Sequence, residues 1–301
     1  MSLPFPDGTR ALRTGDADAI LAASLAALDR GELEGISRHF LGESAERLRH
    51  EPRLGAVAIE GDRVVGWVVP RHDDLTVDLP YRRRGHGTRL VAAGRLLEAA
   101  AGHDELRLHV PRRAGVEAFA RAAGLAYQSS LWRLRLDPEV LQEPPRFGND
   151  VVVRWIEPGA DDASFTELVN TTFRDHPSPI EVDLATIRRV HAERSFDPSS
   201  ILLVARADDA DRAIAFCRVG TYRDDDGRLA GEVKLVGVRS EARGRGLGRE
   251  LVRWGIDACR ERDAVDVYLS VEGRNRGAIR LYESLGFRQD VEWPHWTIPT
   301  R

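Results

Sequence analysis

Arginine and glycine alternate in one short segment, Arg243–Gly248, which reads Arg-Gly-Arg-Gly-Leu-Gly. The apolar run Val233–Val238 precedes it and an amphipathic segment begins at Arg249, so the pattern predicts a strand, a tight loop and a helix. Glycine tolerates positive φ and lets a ligand approach the backbone. The first amides of a helix lack intrahelical partners and carry partial positive charge, which favours anions. With the guanidinium groups of Arg243 and Arg245, the segment predicts a phosphate-binding loop.

The sequence lacks the residues that define two common types of phosphate-binding loop, so both types are excluded. A nucleoside triphosphate loop ends in Gly-Lys-Ser/Thr, but the only lysine of the chain is Lys234, which precedes the loop. The dinucleotide fingerprint needs a third glycine where Arg249 stands. The remaining pattern is Arg-x-x-Gly-x-Gly after an apolar strand, and a structural glycine turn is its alternative interpretation.

The glycine loop occurs twice. Residues 82–87 repeat the arginine and glycine spacing of residues 243–248. After each copy the sequence shows an amphipathic helix, an apolar strand and a second helix that ends at a glycine, Gly124 or Gly286. The repetition of the whole unit predicts two similar domains.

Hydrophobic periodicity predicts the elements that position these loops. In the first half it predicts strands at 10–14, 55–59, 63–70, 75–77, 106–110 and 129–136 and helices at 16–28, up to about 50, at 87–101 and at 116–123. In the second half it predicts strands at 151–156, 201–206, 213–222, 232–238 and 265–271 and helices at 163–173, 181–195, 249–260 and 276–285. The fold class is therefore α/β, with an α+β mixed sheet in each half. Because residues 141–150 are polar and rich in proline and glycine, we expect domains at 1–140 and 151–301 joined by that linker.

Composition narrows the class of protein further. A chain of 301 residues with 42% hydrophobic and 31% charged residues fits two globular domains, and a net charge of −4 gives no basic bias toward nucleic acid. No apolar run is long enough for a membrane span or a signal peptide, so we expect a cytoplasmic protein without membrane partners. Histidine and cysteine spacing predicts no metal site, and Cys217 and Cys259 are interpreted as small buried hydrophobes.

The closing segment carries a family resemblance. The spacing Asn275-x-x-Ala278-x-x-x-Tyr282-x-x-x-Gly286-Phe287, together with the glycine loop and the order of elements, resembles the GNAT acyltransferase superfamily. The resemblance covers nearly the whole chain as two tandem GNAT-like acyltransferase domains. It implies acetyl-CoA (coenzyme A) as acetyl donor and an amine as acceptor.

The resemblance also implies roles for individual residues. Tyr282 is the expected acid for the leaving thiolate, since a phenol stays protonated at neutral pH; a core aromatic is the alternative. Glu232 is the expected base, if it is not a solvated strand end. It would share a face with Val236 and Val238 in an unbroken strand. The residues expected to bind the coenzyme are Val236, Val238, Arg243, Gly244, Arg245, Gly246, Leu247, Gly248 and Asn275 in the second copy and Leu75, Val77, Arg82, Arg83, Arg84, Gly85, His86 and Gly87 in the first. Asn275 is equally expected to cap its helix.

The first copy lacks the expected proton-transfer groups. Ala120 stands where the second copy has Tyr282, Arg113 where it has Asn275, and Arg71 where it has Glu232. We therefore expect the N-terminal domain to be catalytically silent, while its glycine loop either binds coenzyme or is a solvated turn.

The expected activity is direct acetyl transfer to a primary amine of a small molecule in a ternary complex. Segments 170–177 and 196–198 resemble tandem members of the family that act on a cysteinyl sugar. An aminoglycoside, an amino acid or a protein N-terminus are alternative acceptors, and a non-catalytic coenzyme sensor or scaffold is the alternative function. Trp293, His295 and Trp296 are interpreted as late-strand core or as substrate contacts.

Overall fold

The computed structural model describes residues 3–33, 38–50, 55–70, 74–111, 113–176, 180–224 and 227–301. Arg71 and Pro177 lie outside this part of the chain. The described residues form eight α-helices and twelve β-strands, which confirms the mixed α/β class. Contacts divide the chain into two compact units, Met1–Leu131 with Val291–Arg301, and Trp132–Asp290. The sequence boundaries expected at 140 and 151 stay predictions.

The first unit combines an antiparallel sheet with helices. Its helices are α1 (Ala17–Asp29), α2 (Arg38–His50), α3 (His86–Ala100) and α4 (Ala114–Ala122), and its strands are β1 (Thr9–Ala11), β2 (Ala56–Glu60), β3 (Arg63–Val69), β4 (Asp74–Val77) and β5 (Glu105–His109). Strands β1 to β4 lie in chain order, each antiparallel to the next. Strand β5 pairs instead with the end of the last strand of the chain, in the register His295↔His109 to Pro299↔Glu105.

The second unit contains five complete strands of a mixed sheet, with helices on both faces. Its helices are α5 (Asp162–Phe173), α6 (Leu184–His191), α7 (Leu247–Arg260) and α8 (Arg276–Ser284), and its strands are β7 (Val151–Trp155), β8 (Ile201–Arg206), β9 (Asp209–Arg223), β10 (Leu229–Val238) and β11 (Asp266–Glu272). The strand order is β11-β10-β9-β8-β7, and only the β10–β11 pair among these is parallel. Residues of α7 and α8 share one buried cluster with the sheet, and residues of α5 and α6 share another.

Two long strands have residues in both units, β6 (Ala126–Leu136) and β12 (Phe287–Pro299). Strand β12 extends beyond the elements predicted from sequence. Trp296 in β12 is only 3% exposed and belongs to the core of the first unit, which confirms the late-strand core interpretation for this residue.

Most predicted elements are confirmed within a few residues at each end. The hairpin of β2 and β3 turns at Gly61 with φ +62°, and Gly286 follows α8 with φ +92°, as expected for a left-handed helix cap. The helix predicted at 181–195 is shorter, because α6 begins after its cap Asp183 and ends at His191. No described helix has the length and apolarity to cross a bilayer.

The structure shows a second repeat that periodicity does not reveal. In the first unit Arg10 forms two hydrogen bonds to Asp16, at 2.6 and 2.7 Å, and the amide of Arg13 donates to the same carboxylate. In the second unit Arg154 forms the same pair of bonds to Asp161, at 2.6 and 2.8 Å, and the amide of Glu157 donates to it. Each arrangement ties the first strand of a unit to the start of its first helix, so the two units share more than their glycine loops.

Candidate active site

The loop of the second unit offers free backbone donors. Gly244 has φ +78°, and Gly246, with φ +83° and ψ −8°, caps the N-terminus of α7. A Cβ at either glycine would meet no atom within 4 Å, so the space above both is open. No described residue accepts a hydrogen bond from the amides of Gly244, Arg245 or Gly246. Open space beside unpaired amides at a helix N-terminus is suited to phosphate oxygens.

The two arginines of this loop act differently. Arg243 donates from Nε to the carbonyl of Val238 at 3.1 Å and from Nη2 to the carbonyl of Thr172 at 3.3 Å, so it holds the loop while bringing a positive charge. Arg245 pairs with Asp150, and the two side chains are 42% and 59% exposed. An exposed pair contributes about 0–1 kcal/mol, so a phosphate can replace this carboxylate at little cost.

Strands β10 and β11 separate next to the loop. Their parallel ladder runs from Ala230↔Asp266 to Val233↔Leu269 and ends there. On its other edge β10 remains paired with β9 as far as Val238↔Ala215. The edge of β10 from 234 to 238 therefore faces β11 without ladder partners, and its amides and carbonyls on that side are available to a ligand.

A β-bulge at Lys234 interrupts β10. The β9–β10 register shifts between Val233 and Leu235, which leaves Lys234 as the extra residue. Before the bulge, a Cβ at Gly231 would meet Cys259 of α7, and Val233 packs in the same cluster as α7. Because side chains alternate along a strand, Glu232 and Lys234 lie on the opposite face, the face of α5.

The bulge reverses the alternation for the rest of β10. Val236 and Val238 pack against the α7 cluster, whereas a Cβ at Gly237 would meet Thr172 of α5. The unbroken strand assumed from sequence is therefore not present: Glu232 shares its face with Lys234 and not with Val236 and Val238. Glu232 and the unpaired edge of β10 lie on the same strand, but the carboxylate approaches from the α5 side.

Tyr282 lies on α8 and packs against the α7 cluster. Its ring stands 6.2 Å from that of Phe287. Burial, with a smaller contribution from the nearby Cys217 thiol, raises the pKa of Tyr282 to about 12. No described residue forms a hydrogen bond with its hydroxyl. The phenol is therefore protonated at neutral pH and has a proton to donate.

The structure confirms the predicted role of Asn275 as a helix cap. Its side chain accepts a hydrogen bond from the amide of Ala278 at 3.2 Å, which makes it the N-cap of α8. Its Nδ2 lies 3.2 Å from Nε2 of His176. The contact with His176, which follows α5, was not expected from sequence.

The loop of the first unit has nearly the same backbone. Arg83 has φ +67°, where the second loop has Gly244, and Gly85 has φ +79° and ψ 0°, where the second loop has Gly246. Arg82 donates from Nε to the carbonyl of Val77 at 2.9 Å, which repeats the bond of Arg243. The sequence repeat is thus a repeat of conformation.

The charges of the first loop are compensated by carboxylates. Arg82 bonds to Glu32, and Arg84 bonds to Glu60 at 2.6 Å. His86 is 4% exposed, and its imidazole lies 3.0 Å from the Glu60 carboxylate. Less positive charge is therefore available to a phosphate here than the sequence suggests.

A cavity of about 650 Å³ opens beside the first loop. Its walls come from β4, β5, α4 and the loop, and it includes all the residues predicted for the first copy except Arg84. Ala120 lines it where the second unit has Tyr282, and Arg113, in place of Asn275, donates to the carbonyl of Gly31. His109 also lines it; burial and the neighbouring His295 lower the pKa of His109 to about 4, so this imidazole is neutral at pH 7.

Known proteins resemble this chain in sequence and in fold. The profile of the Acetyltransferase (GNAT) family matches residues 164–287. Among solved structures, a GCN5-related N-acetyltransferase from Sphaerobacter thermophilus has the same fold, with a TM-score of 0.71, 20% identity and coverage of 99% of this chain and 97% of the other. A tandem GNAT protein from the clavulanic acid biosynthesis pathway has a TM-score of 0.69 and 21% identity, and covers 97% and 98%.

The chain therefore belongs to the GNAT family of acetyltransferases, as a tandem member. Its sequence is 32% identical over 292 residues to the mycothiol acetyltransferase of Thermobispora bispora, covering 94% of both chains. It is 34% identical over 242 residues to the mycothiol acetyltransferase of Rhodococcus erythropolis, covering 77% of this chain and 80% of the relative. It is an enzyme, an acyltransferase that moves an acetyl group to an amine, and its family generally uses acetyl-CoA.

Proposed function

We propose that the second unit transfers acetyl from acetyl-CoA to a primary amine of a small molecule, by direct transfer in a ternary complex. The observation that supports this most is the separation of β10 from β11 after Val233, which leaves an unpaired strand edge beside the loop 243–248. Glu232 approaches that edge from the face of α5, and Tyr282 lies in the cluster on the other face. A base and an acid on opposite sides of one strand suit attack from one side and departure on the other.

The residues present fit the coenzyme. The amides of Gly244, Arg245 and Gly246 and the N-terminus of α7 would hold the pyrophosphate, and the open space above both glycines leaves room for it. The free edge of β10 around Val236 and Val238 would hold the pantetheine arm. When bound, the coenzyme supplies an acetyl thioester whose carbonyl carbon is the electrophile.

The proton transfers fall to side chains of this chain. Glu232 would take a proton from the acceptor ammonium, directly or through water, which frees the nitrogen lone pair for attack. Tyr282 would donate its Oη proton to the sulfur as the C–S bond breaks, since the raised pKa of about 12 keeps the phenol protonated at neutral pH. One N–C bond forms and one C–S bond breaks. Two protons leave the nitrogen, the first from the ammonium to Glu232 and the second after the N–C bond has formed. The sulfur receives one proton from Tyr282, which is then reprotonated, so one proton is released to solvent in each turnover.

Direct transfer is supported by the state of the two cysteines. Burial raises the pKa of Cys259 to about 12 and that of Cys217 well above its ordinary value. A thiol in that state is a poor nucleophile at neutral pH. We therefore propose no acetyl-enzyme on cysteine.

For the first unit we propose coenzyme binding without turnover. Its loop repeats the backbone of the second and its cavity is lined by the predicted residues, which supports binding. Ala120 stands in place of the acid Tyr282 and Arg113 in place of the cap residue Asn275, which supports the absence of catalysis in this unit. We do not propose a sensor role for the whole chain, because the family is one of enzymes. We propose binding without catalysis for the first unit only.

The first acceptor to assay is the cysteinyl sugar implied by the names of the relatives. The test combines release of free coenzyme thiol with mass detection of the acetylated amine, over a panel that adds amino acids, aminoglycosides and peptides. Calorimetric titration with coenzyme A gives the stoichiometry, which we expect to be about two per chain. Coenzyme binding with no transfer to any amine would refute the proposed function, and a stoichiometry of one would refute binding by the first unit.

A further inference from the structure

Beside Glu232, on the α5 face of the second unit, two positive side chains form no hydrogen bond or ion pair with a described residue. We propose that Arg218 and Lys234 form a subsite for a carboxylate, so that the acceptor is a small amine which also carries that anionic group. The inference rests on the proposed function, because it concerns the acceptor side of the same site. It selects among acceptors that the family membership leaves open.

Arg218 lies in the middle of the sheet, on β9. It is opposite Ile201 of β8 and Leu235 of β10, both of which belong to the apolar cluster under α5 and α6. It is only partly exposed, and no described residue forms a hydrogen bond or ion pair with its guanidinium. Burial lowers the pKa of Arg218 from its usual value, although the charges of Glu232 and Glu193 act in the opposite direction.

An unpaired guanidinium at such a position is costly, since a charge removed from water needs a compensating partner. Other arginines of the unit have one: Arg133 pairs with Asp290 at 2.5 Å, and Arg135 pairs with Asp266 at 2.6 Å. Arg218 lies among apolar side chains without such a bond, which points to a partner that arrives with the substrate.

Lys234 brings the second positive charge to the same place. As the bulge residue of β10 it reaches across to β9, where a Cβ on Gly220 would come within 2.4 Å of its Cε and 2.9 Å of its Nζ. Gly220 is the residue directly opposite Glu232 in the β9–β10 register. The absence of a side chain at Gly220 is what lets the lysine lie flat there, and no described residue pairs with its ammonium.

The spacing sets the size of the ligand. Residues 218 and 220 lie on one face of β9, about 7 Å apart, and Glu232 is about 5 Å across from Gly220. An amine at Glu232 and an anion between Lys234 and Arg218 therefore belong to one small molecule, of amino-acid dimensions. Guanidinium and ammonium donors bind carboxylates well, whereas a polycationic aminoglycoside would be repelled.

The first experiment compares acceptors that differ only in this charge. We would measure kcat/KM for L-serine and L-serinamide, and for L-alanine and L-alaninamide, by mass detection of the N-acetyl product, together with a neutral cysteinyl sugar. The wild type should prefer each carboxylate over its amide by about tenfold or more. Arg218→Gln and Lys234→Gln should each reduce that preference to about threefold or less by raising KM for the acids more than KM for the amides. The matched control is Arg212→Gln, on the same strand in an exposed pair with Glu241.

A second measurement does not depend on turnover. Because Lys234 is the only lysine, reductive methylation with ¹³C-formaldehyde labels one side chain besides the N-terminus and keeps its charge. L-serine should shift the dimethyl-lysine NMR signal in the wild type and in Arg212→Gln, and should leave it unchanged in Arg218→Gln. L-serinamide should shift it less.

The outcomes separate this inference from the proposed function. Transfer to the neutral cysteinyl sugar with equal kcat/KM in the wild type and Arg218→Gln, and no acid preference, would overturn the anion subsite while supporting acetyl transfer. An unmoved lysine signal at saturating coenzyme A and 50-fold excess serine would also overturn it. A shifted signal without transfer to any amine would keep the subsite and overturn the proposed function.

Discussion

Replacement of Tyr282 by phenylalanine tests the acid directly. The hydroxyl has no hydrogen-bond partner among the described residues, and the ring packs 6.2 Å from Phe287 in the α7 cluster. Phenylalanine keeps that packing, so the free energy of unfolding should change by less than about 1 kcal/mol. The coenzyme loop is untouched, and coenzyme affinity should stay within about twofold.

The loss in turnover should nevertheless be large. General acid catalysis contributes about 10² to 10⁴ in rate, equivalent to about 3–5 kcal/mol of transition-state stabilisation. Since the pKa of Tyr282 is raised to about 12, the phenol remains protonated across the assay range, and the wild-type kcat should show no decline from its ionisation up to about pH 10.

The assay is thiol release at saturating amine and coenzyme between pH 6 and 10, with thermal melting and calorimetry on the same preparations. Tyr282 is not the general acid if Tyr282→Phe retains kcat within about threefold, because general acid catalysis contributes at least about 10² in rate. Loss of activity only in proportion to the loss of folded protein would also exclude the acid role, since the tyrosine would then act only as a core aromatic.

Further predictions concern the glycine loops and the two bidentate arginine–aspartate clamps, Arg10–Asp16 and Arg154–Asp161. Gly246→Ala should destabilise the protein by about 1–2 kcal/mol, because φ is +83° there, whereas Gly248→Ala, whose Cβ would meet a leucine at 3.6 Å, should stay within about 1 kcal/mol; urea unfolding separates the two. Gly87→Ala should weaken coenzyme binding by the first unit alone, because its Cβ would come within 2.8 Å of a phenylalanine ring lining the cavity; a calorimetric stoichiometry that stays at two with unchanged affinities would contradict this. The hydrogen bonds from Arg154 lower the pKa of Asp161, so their stabilisation is present above the unfolded pKa of about 3.9 and is lost as pH falls through the lower folded value. Asp161→Asn should cost about 1–2 kcal/mol at pH 7 and flatten that acid dependence, and a variant that unfolds with the wild-type pH profile would refute the clamp.

The glycine loops could be predicted from sequence because their conformation depends on residues next to each other in the chain. Arg-x-x-Gly-x-Gly specifies a backbone with positive φ and a helix start, and both copies adopt it at Gly85 and Gly246. The bulge at Lys234 was not predicted, because an extra residue in one strand depends on the register of its neighbour and leaves no periodic signal in an apolar run. The assignment of Glu232 to the face of Val236 failed for this reason.

The pairing of β12 with β5 could not be predicted from local sequence either. The register of His295 with His109 joins residues far apart in the chain, and the sequence of each strand does not specify which strand pairs with it. By contrast, the bidentate clamp of Arg10 on Asp16 could have been noticed, because an arginine in the first strand and an aspartate at the following helix start occur in both halves. Arg218 could be seen only in the structure, since its lack of a partner is a property of its surroundings.

The duplicated loop allows a separate test of binding and catalysis: the loop should confer coenzyme binding, and Glu232, Asn275 and Tyr282 should confer catalysis. Restoring the tyrosine alone should therefore not make the first unit active. In a Tyr282→Phe background, Ala120→Tyr would place a phenol in the wall of the 650 Å³ cavity, yet turnover should not recover above the level of Tyr282→Phe. Arg113 still occupies the cap position and is committed to the carbonyl of Gly31, so the helix start that places Tyr282 is not reproduced. Recovery of kcat by tenfold or more would show instead that the first unit lacks only an acid, and that its neutral His109 or another group serves as base.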